Sequence, residues 1–80
     1  MTGIVVSGDG KRGFWFVETD QTHQSVFVHQ KNVKDRRFLR IDDRVRLDIV
    51  PSAFKPGQME GANVEYIGHT IARQVGGVRG

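Results

Sequence analysis

Cysteine is absent from the 80 residues, so neither a disulfide framework nor a thiolate zinc site can hold the chain together, and nothing argues for an oxidising compartment. Long apolar runs are missing too. No segment approaches the roughly 20 residues that a membrane-spanning helix requires. The opening stretch, Met1-Thr2-Gly3-Ile4-Val5-Val6-Ser7, has no basic leader, and its apolar run is too short for a secretory signal. An intracellular, cytoplasmic protein without membrane association is therefore expected. No internal repeat, low-complexity tract or domain boundary is visible. His23, His29 and His69 lack metal-ligand spacing, and no nucleophile–base pair stands out, so no metal, no cofactor and no enzymatic chemistry are expected. Asp42-Asp43, beside arginines, reads as a solvated salt-bridging pair rather than as catalytic carboxylates.

A helical period is also lacking; the dominant period is two. Short runs rich in β-branched and aromatic residues occur at Gly3–Ser7, Gly13–Thr19, Ser25–His29, Arg44–Val50 and Gly61–Ile67. Arg44–Val50 is the clearest, with Val45, Leu47 and Ile49 on one face and Arg44, Arg46 and Asp48 on the other. The runs are separated by turn-like breaks at Gly8-Asp9-Gly10, Thr19–Gln24 and Pro51–Gly57, and by the polar connection Lys31–Arg40. Five short strands at such spacing suggest a small barrel. A chain of this length forms one domain with a modest core. Its charge is mildly basic: 12 Lys and Arg against 9 Asp and Glu, net +3, with arginine in the majority. Planar, bidentate guanidinium suits phosphate and stacked bases, although net charge alone is a weak pointer to a polyanion.

Arg12-Gly13-Phe14-Trp15-Phe16-Val17 fits an RNP1-type pattern at all but its middle position. Alternation along a strand puts Arg12, Phe14 and Phe16 on one face, where two rings make platforms for bases. Alone, the segment also allows Phe14 and Phe16 in the core with Trp15 exposed. Val26-Phe27-Val28-His29 repeats the division, with valines on one face and Phe27 with His29 on the other. Two such strands read as one stacking surface over one aliphatic core. Trp15 would then point inwards and fill space left by Ser7 and Gly8; a local bulge turning it outwards is the other reading. Lys31, Lys34, Arg36, Arg37 and Arg40 surround Phe38, either as a solvated loop interleaved with Asp35 or as a holder of nucleic-acid backbone. Gly8-Asp9-Gly10-Lys11-Arg12-Gly13 spells a dinucleotide-binding fingerprint, but that motif needs a helix where this chain continues as a strand.

These segments, in this order, resemble the cold-shock domain family. The resemblance runs from Gly3-Ile4-Val5 through Lys11–Val17, Val26–His29, Phe38 and Ile41-Asp42-Asp43 to Ala62-Asn63-Val64, covering residues 3 to 67. It implies an all-β fold, a five-stranded antiparallel OB-type Greek-key barrel over residues 1–67; the glycine-containing stretch 68–80, with Gly76-Gly77 and Gly80, reads as a partly disordered C-terminal extension. It also implies base stacking by Phe14, Phe16, Phe27, His29 and Phe38, with Arg12 in the adjoining basic position. Lys11, Lys31, Arg36 and Arg37 complete the candidate nucleic-acid-binding set. The family typically has Lys-Trp-Phe-Asn where Val6-Ser7-Gly8-Asp9 stands, and an aromatic where Gln30 stands. Two lost platforms at about 1–3 kcal/mol each would weaken binding by two or more decades. The acidic pair also enters Arg44-Val45 without the usual glycine, implying a shortened turn. The expected function is low-specificity binding of single-stranded RNA or DNA, as a nucleic-acid chaperone. The alternative is a protein-interaction or self-associating barrel with a weakened nucleic-acid face. Either a monomer or a weak, domain-swapped dimer is compatible with such a barrel.

Overall fold

Side-chain alternation sorts this chain into an inside and an outside, and the computed structural model, which describes residues 1–53 and 55–69, shows the result. Five strands form: β1 (Thr2–Asp9), β2 (Phe14–Thr19), β3 (Ser25–His29), β4 (Asp43–Pro51) and β5 (Met59–His69). They close into a barrel in the order β1-β2-β3-β5-β4. The described helical structure is two single 3-10 turns, Gln30–Asn32 and Lys34–Arg36. Val5, Trp15, Val17, Val26, Val28, Val33, Leu39, Val45, Leu47 and Val64 make the core, with Ile49 packed against it. The fold is the all-β, five-stranded barrel that the sequence leads one to expect. β5 runs two residues past the expected domain boundary at Ile67, and residues 70–80 of the expected extension lie outside the described residues.

Four junctions are antiparallel; β3 and β5 meet in parallel through Phe27↔Glu60 and Val28↔Gly61. That seam is tight. A Cβ added to Gly61 would lie 2.7 Å from Leu47 Cδ1 and 2.9 Å from Val28 Cγ2, so the closure depends on a residue with no side chain. Beyond it, Val33 bridges Val64, again in parallel, and lowers the first 3-10 turn onto the barrel.

A second device ties strand ends together. Asp20, just after β2, accepts both guanidinium N–H groups of Arg44 on β4, at 3.0 and 2.6 Å, and the Thr2 hydroxyl of β1 at 2.6 Å. The Arg44 hydrogen bonds, and next that from Thr2, hold the Asp20 carboxyl at about 2, below its ordinary 3.8. Asp43 departs from the expected solvated role. It is 2 % exposed, accepts the Arg40 N–H at 2.8 Å, and lies 2.8 Å from His69 Nδ1 on β5. A buried acidic side chain needs such partners; the turn into β4 supplies one and the end of β5 the other.

Gly61→Ala is expected to lower stability by about 1–3 kcal/mol through overpacking, a fall of at least about 4 °C in Tm on thermal unfolding. An unchanged Tm would mean that the seam has slack. Because Asp20 is ionised more easily in the folded chain, its contribution is complete above pH 3.8 and disappears as pH falls through about 2. The pair is partly exposed, so that contribution is about 0.5–1 kcal/mol. Urea unfolding should show Asp20→Asn less stable than the parent at pH 6, with the difference shrinking between pH 4 and pH 2.

Candidate nucleic-acid interface

The interface is built by one cross-strand block. β2 and β3 pair Phe14 with His29 and Phe16 with Phe27, so four outward side chains become neighbours. Phe14 and Phe27 are stacked, with centroids 5.8 Å apart and planes at 23°. Phe16 meets Phe14 edge-on at 6.0 Å and Phe27 at 5.8 Å, and His29 tilts against Phe27 at 6.4 Å. The phenylalanines are only half buried. The Lys31 N–H donates to His29 Nδ1 at 3.2 Å, so a neutral imidazole carries its own donor on Nε2.

Trp15 faces the other way. It is 2 % exposed and sits directly opposite Gly8, where an added Cβ would overlap its Cδ1. The bulge between Val5 and Ser7 sets that register, pairing Ser7 with outward Phe16 and Gly8 with inward Trp15. In this register Ser7 and Asp9 lie beside the outward rings Phe16 and Phe14, whereas a side chain at position 8 would run into the enclosed indole. Neither Ser7 nor Asp9 adds a ring to the platform.

A groove of about 510 Å³ opens over the rings. Phe14, Phe16, Phe27, His29 and Lys31 line one side, and Ser52, Lys55, Gln58, Met59 and Glu60 the other. Sequence reasoning missed the second wall, treating Pro51–Gly57 as a turn. Its Pro56-Gly57 signal gives a turn but no address; the parallel seam, by setting Glu60 against Phe27, carries the turn to the rings. The wall is braced locally: the Ser52 N–H donates to Gln58 O at 2.8 Å, and the Lys55 N–H to Ser52 Oγ at 3.1 Å.

The remaining candidates are placed elsewhere. The shared face of Arg12, Phe14 and Phe16 stops at Phe14, because Gly13 has φ +75° and turns the chain. Arg12 therefore lies in the β1–β2 turn, exposed, 3.8 Å from Asp9, and next to exposed Lys11. Phe38 does not join the ring cluster; it is 61 % exposed and packs edge-on against Trp15 at 6.2 Å, beside Gly10. Arg36 gives its carbonyl to the Gln30 side-chain amide at 3.2 Å, so Gln30 braces the loop. Arg37 lays its guanidinium 3.8 Å over the Tyr66 ring on β5.

A family model, the 'Cold-shock' DNA-binding domain, matches residues 1–67. The chain belongs to the cold-shock domain family. This is a family of nucleic-acid-binding domains, not of enzymes. Comparison with curated proteins gives no match. Among the described residues of this cold-shock domain, no helix is long and apolar enough to cross a membrane, and no group of three His, Asp or Glu side chains could hold a metal ion.

With its indole enclosed, native Trp15 should emit well to the blue of its urea-unfolded position and resist iodide quenching. Emission already at the water-exposed maximum would contradict the inward indole.

Proposed function

We propose that this cold-shock domain binds single-stranded RNA or DNA by stacking successive bases on Phe14, Phe16, Phe27 and His29 while Lys31 and Lys55 face the phosphates. One observation carries the reading: four outward rings in mutual contact line a groove that also holds two lysines. Exposed apolar rings cost free energy in water, and a base offers a matching π-face without requiring a defined hydrogen-bond partner. Sequence preference is accordingly modest, which suits a chaperone that keeps RNA unstructured in the cytoplasm. Lys11 and Arg12, in the turn that precedes Phe14, extend the cationic rim. Phe38 belongs to this surface only if the loop carrying it moves, since it now rests on Trp15. The self-associating alternative is not favoured, because the family membership and the cluster of outward rings both support a nucleic-acid partner.

The test is fluorescence anisotropy of labelled dT and U heptamers at low and moderate salt. Trp15 is a poor reporter because it faces the interior. Saturable binding that weakens with salt is expected. Phe27→Ala should weaken it about fivefold to a hundredfold, the cost of one stacking platform, and Phe14→Ala likewise. No binding at tens of micromolar protein in low salt, or equal binding by the Phe27→Ala variant, would sink the reading.

A further inference from the structure

The chain that leaves β3 does not depart from the barrel. It runs parallel to β5, as the pairings Phe27↔Glu60 and Val28↔Gly61, the bridge Val33↔Val64, and Arg37 over Tyr66 show in succession. Cations recur along this seam every three residues, at Lys31, Lys34 and Arg37. Lys31 lines the aromatic groove and also a second, smaller cavity of about 180 Å³. Lys34, Asn32 and Asn63 line that cavity as well, so the two concavities adjoin at Lys31. Farther along, Arg37 is exposed and its planar guanidinium lies 3.8 Å from the Tyr66 centroid. Tyr66 covers one face of that cation. The opposite face is a flat, charged surface already held in place, which suits stacking by a base beside a phosphate. Of the carboxylates nearby, Glu60 lines the groove with Lys31, Glu65 is engaged by Arg46 at 3.3 Å and Asp48 by the Asn63 amide at 2.9 Å; Asp35 is exposed on the loop.

We propose that a single strand longer than the ring platform continues along the β3–β5 seam, its phosphates meeting Lys31 and Lys34 and a further base stacking on the Arg37–Tyr66 pair. The inference rests on the nucleic-acid reading above and extends its footprint around the barrel. Arg37 then acts beyond the groove, as a length-sensing contact rather than part of the platform. Binding of longer oligonucleotides gains a second stacking subsite and a further phosphate contact at Lys34, which steepens the salt dependence.

The experiment compares labelled dT heptamers and dT 14-mers on the full chain, parent against Arg37→Ala and Lys34→Ala, with folding checked by circular dichroism. Both positions are exposed, Lys34 at the start of the second 3-10 turn and Arg37 just after it. A 14-mer gains up to about eightfold from its extra registers alone, so the variants, not the raw gain, decide. Arg37→Ala should lower the ratio of 14-mer to heptamer affinity by about fivefold or more, and Lys34→Ala should flatten the salt slope of the 14-mer more than that of the heptamer. A ratio and slope untouched by either substitution would overturn the seam while leaving the platform intact. Heptamer binding that fails, with 14-mer binding that depends on Arg37, would overturn the platform and keep the seam. Failure of both oligonucleotides removes both.

Discussion

The indole of Trp15 occupies interior space that a side chain at position 8 would otherwise claim, and the pleat of β2 passes that choice to its neighbours. With Trp15 and Val17 inside, Phe14 and Phe16 have only the outer face. The bulge between Val5 and Ser7 makes the arrangement fit, because it brings Gly8 rather than a larger residue opposite the indole. A one-residue slip would place Ser7 against Trp15 and turn the strand's remaining side chains to the wrong face. The platform therefore depends on the core beneath it. Its rings hold their positions because one large side chain on the same strand is enclosed on the other side.

Closure of the barrel is the second requirement, and it is nonlocal. β3 and β5 are separated by the whole of β4, yet their short parallel seam sets Met59 and Glu60 beside Phe27 and converts a flat ring cluster into a groove. Gly61 permits that approach, since Leu47 and Val28 occupy the volume where its side chain would be. A loosened seam would thus reduce stability and also remove one wall of the binding surface. Fold and site share the same small set of close contacts, as expected where a chain of this size has little core to spare.

What was legible in the sequence was whatever period two could encode. Ser25–His29 is a strand with the bounds read from its pattern, and Arg44–Val50 lies within β4 with Val45 and Leu47 inward. The opposition of valines to Phe27 and His29 pointed to the outward ring block directly. Arg12 was misplaced because alternation was carried through Gly13, whose positive φ ends it. Phe38 came from family resemblance alone, and its ring went to the nearest aromatic edge, that of Trp15. Lys55, Met59 and the Arg37–Tyr66 pair could not be read at all. Each acquires its neighbours from the parallel seam, and no local pattern announces a pairing across thirty residues of chain.

The exchange of large for small across the Gly8–Trp15 pair bears on what this domain gives up. Gly8 and Trp15 form a small-to-large cross-strand pair, and the interior has room for one large side chain between them. Truncating a buried Trp typically costs about 3–5 kcal/mol, a large share of the 5 or so available to a small domain. Losing one outer platform costs about 1–3 kcal/mol of binding and nothing in folding. The fold therefore constrains Trp15 and Gly8 as a pair far more tightly than Ser7, which is exposed beside Phe16. On that argument the rings whose positions the core dictates, Phe14 and Phe16, are bound to the fold, whereas Ser7 beside them is not.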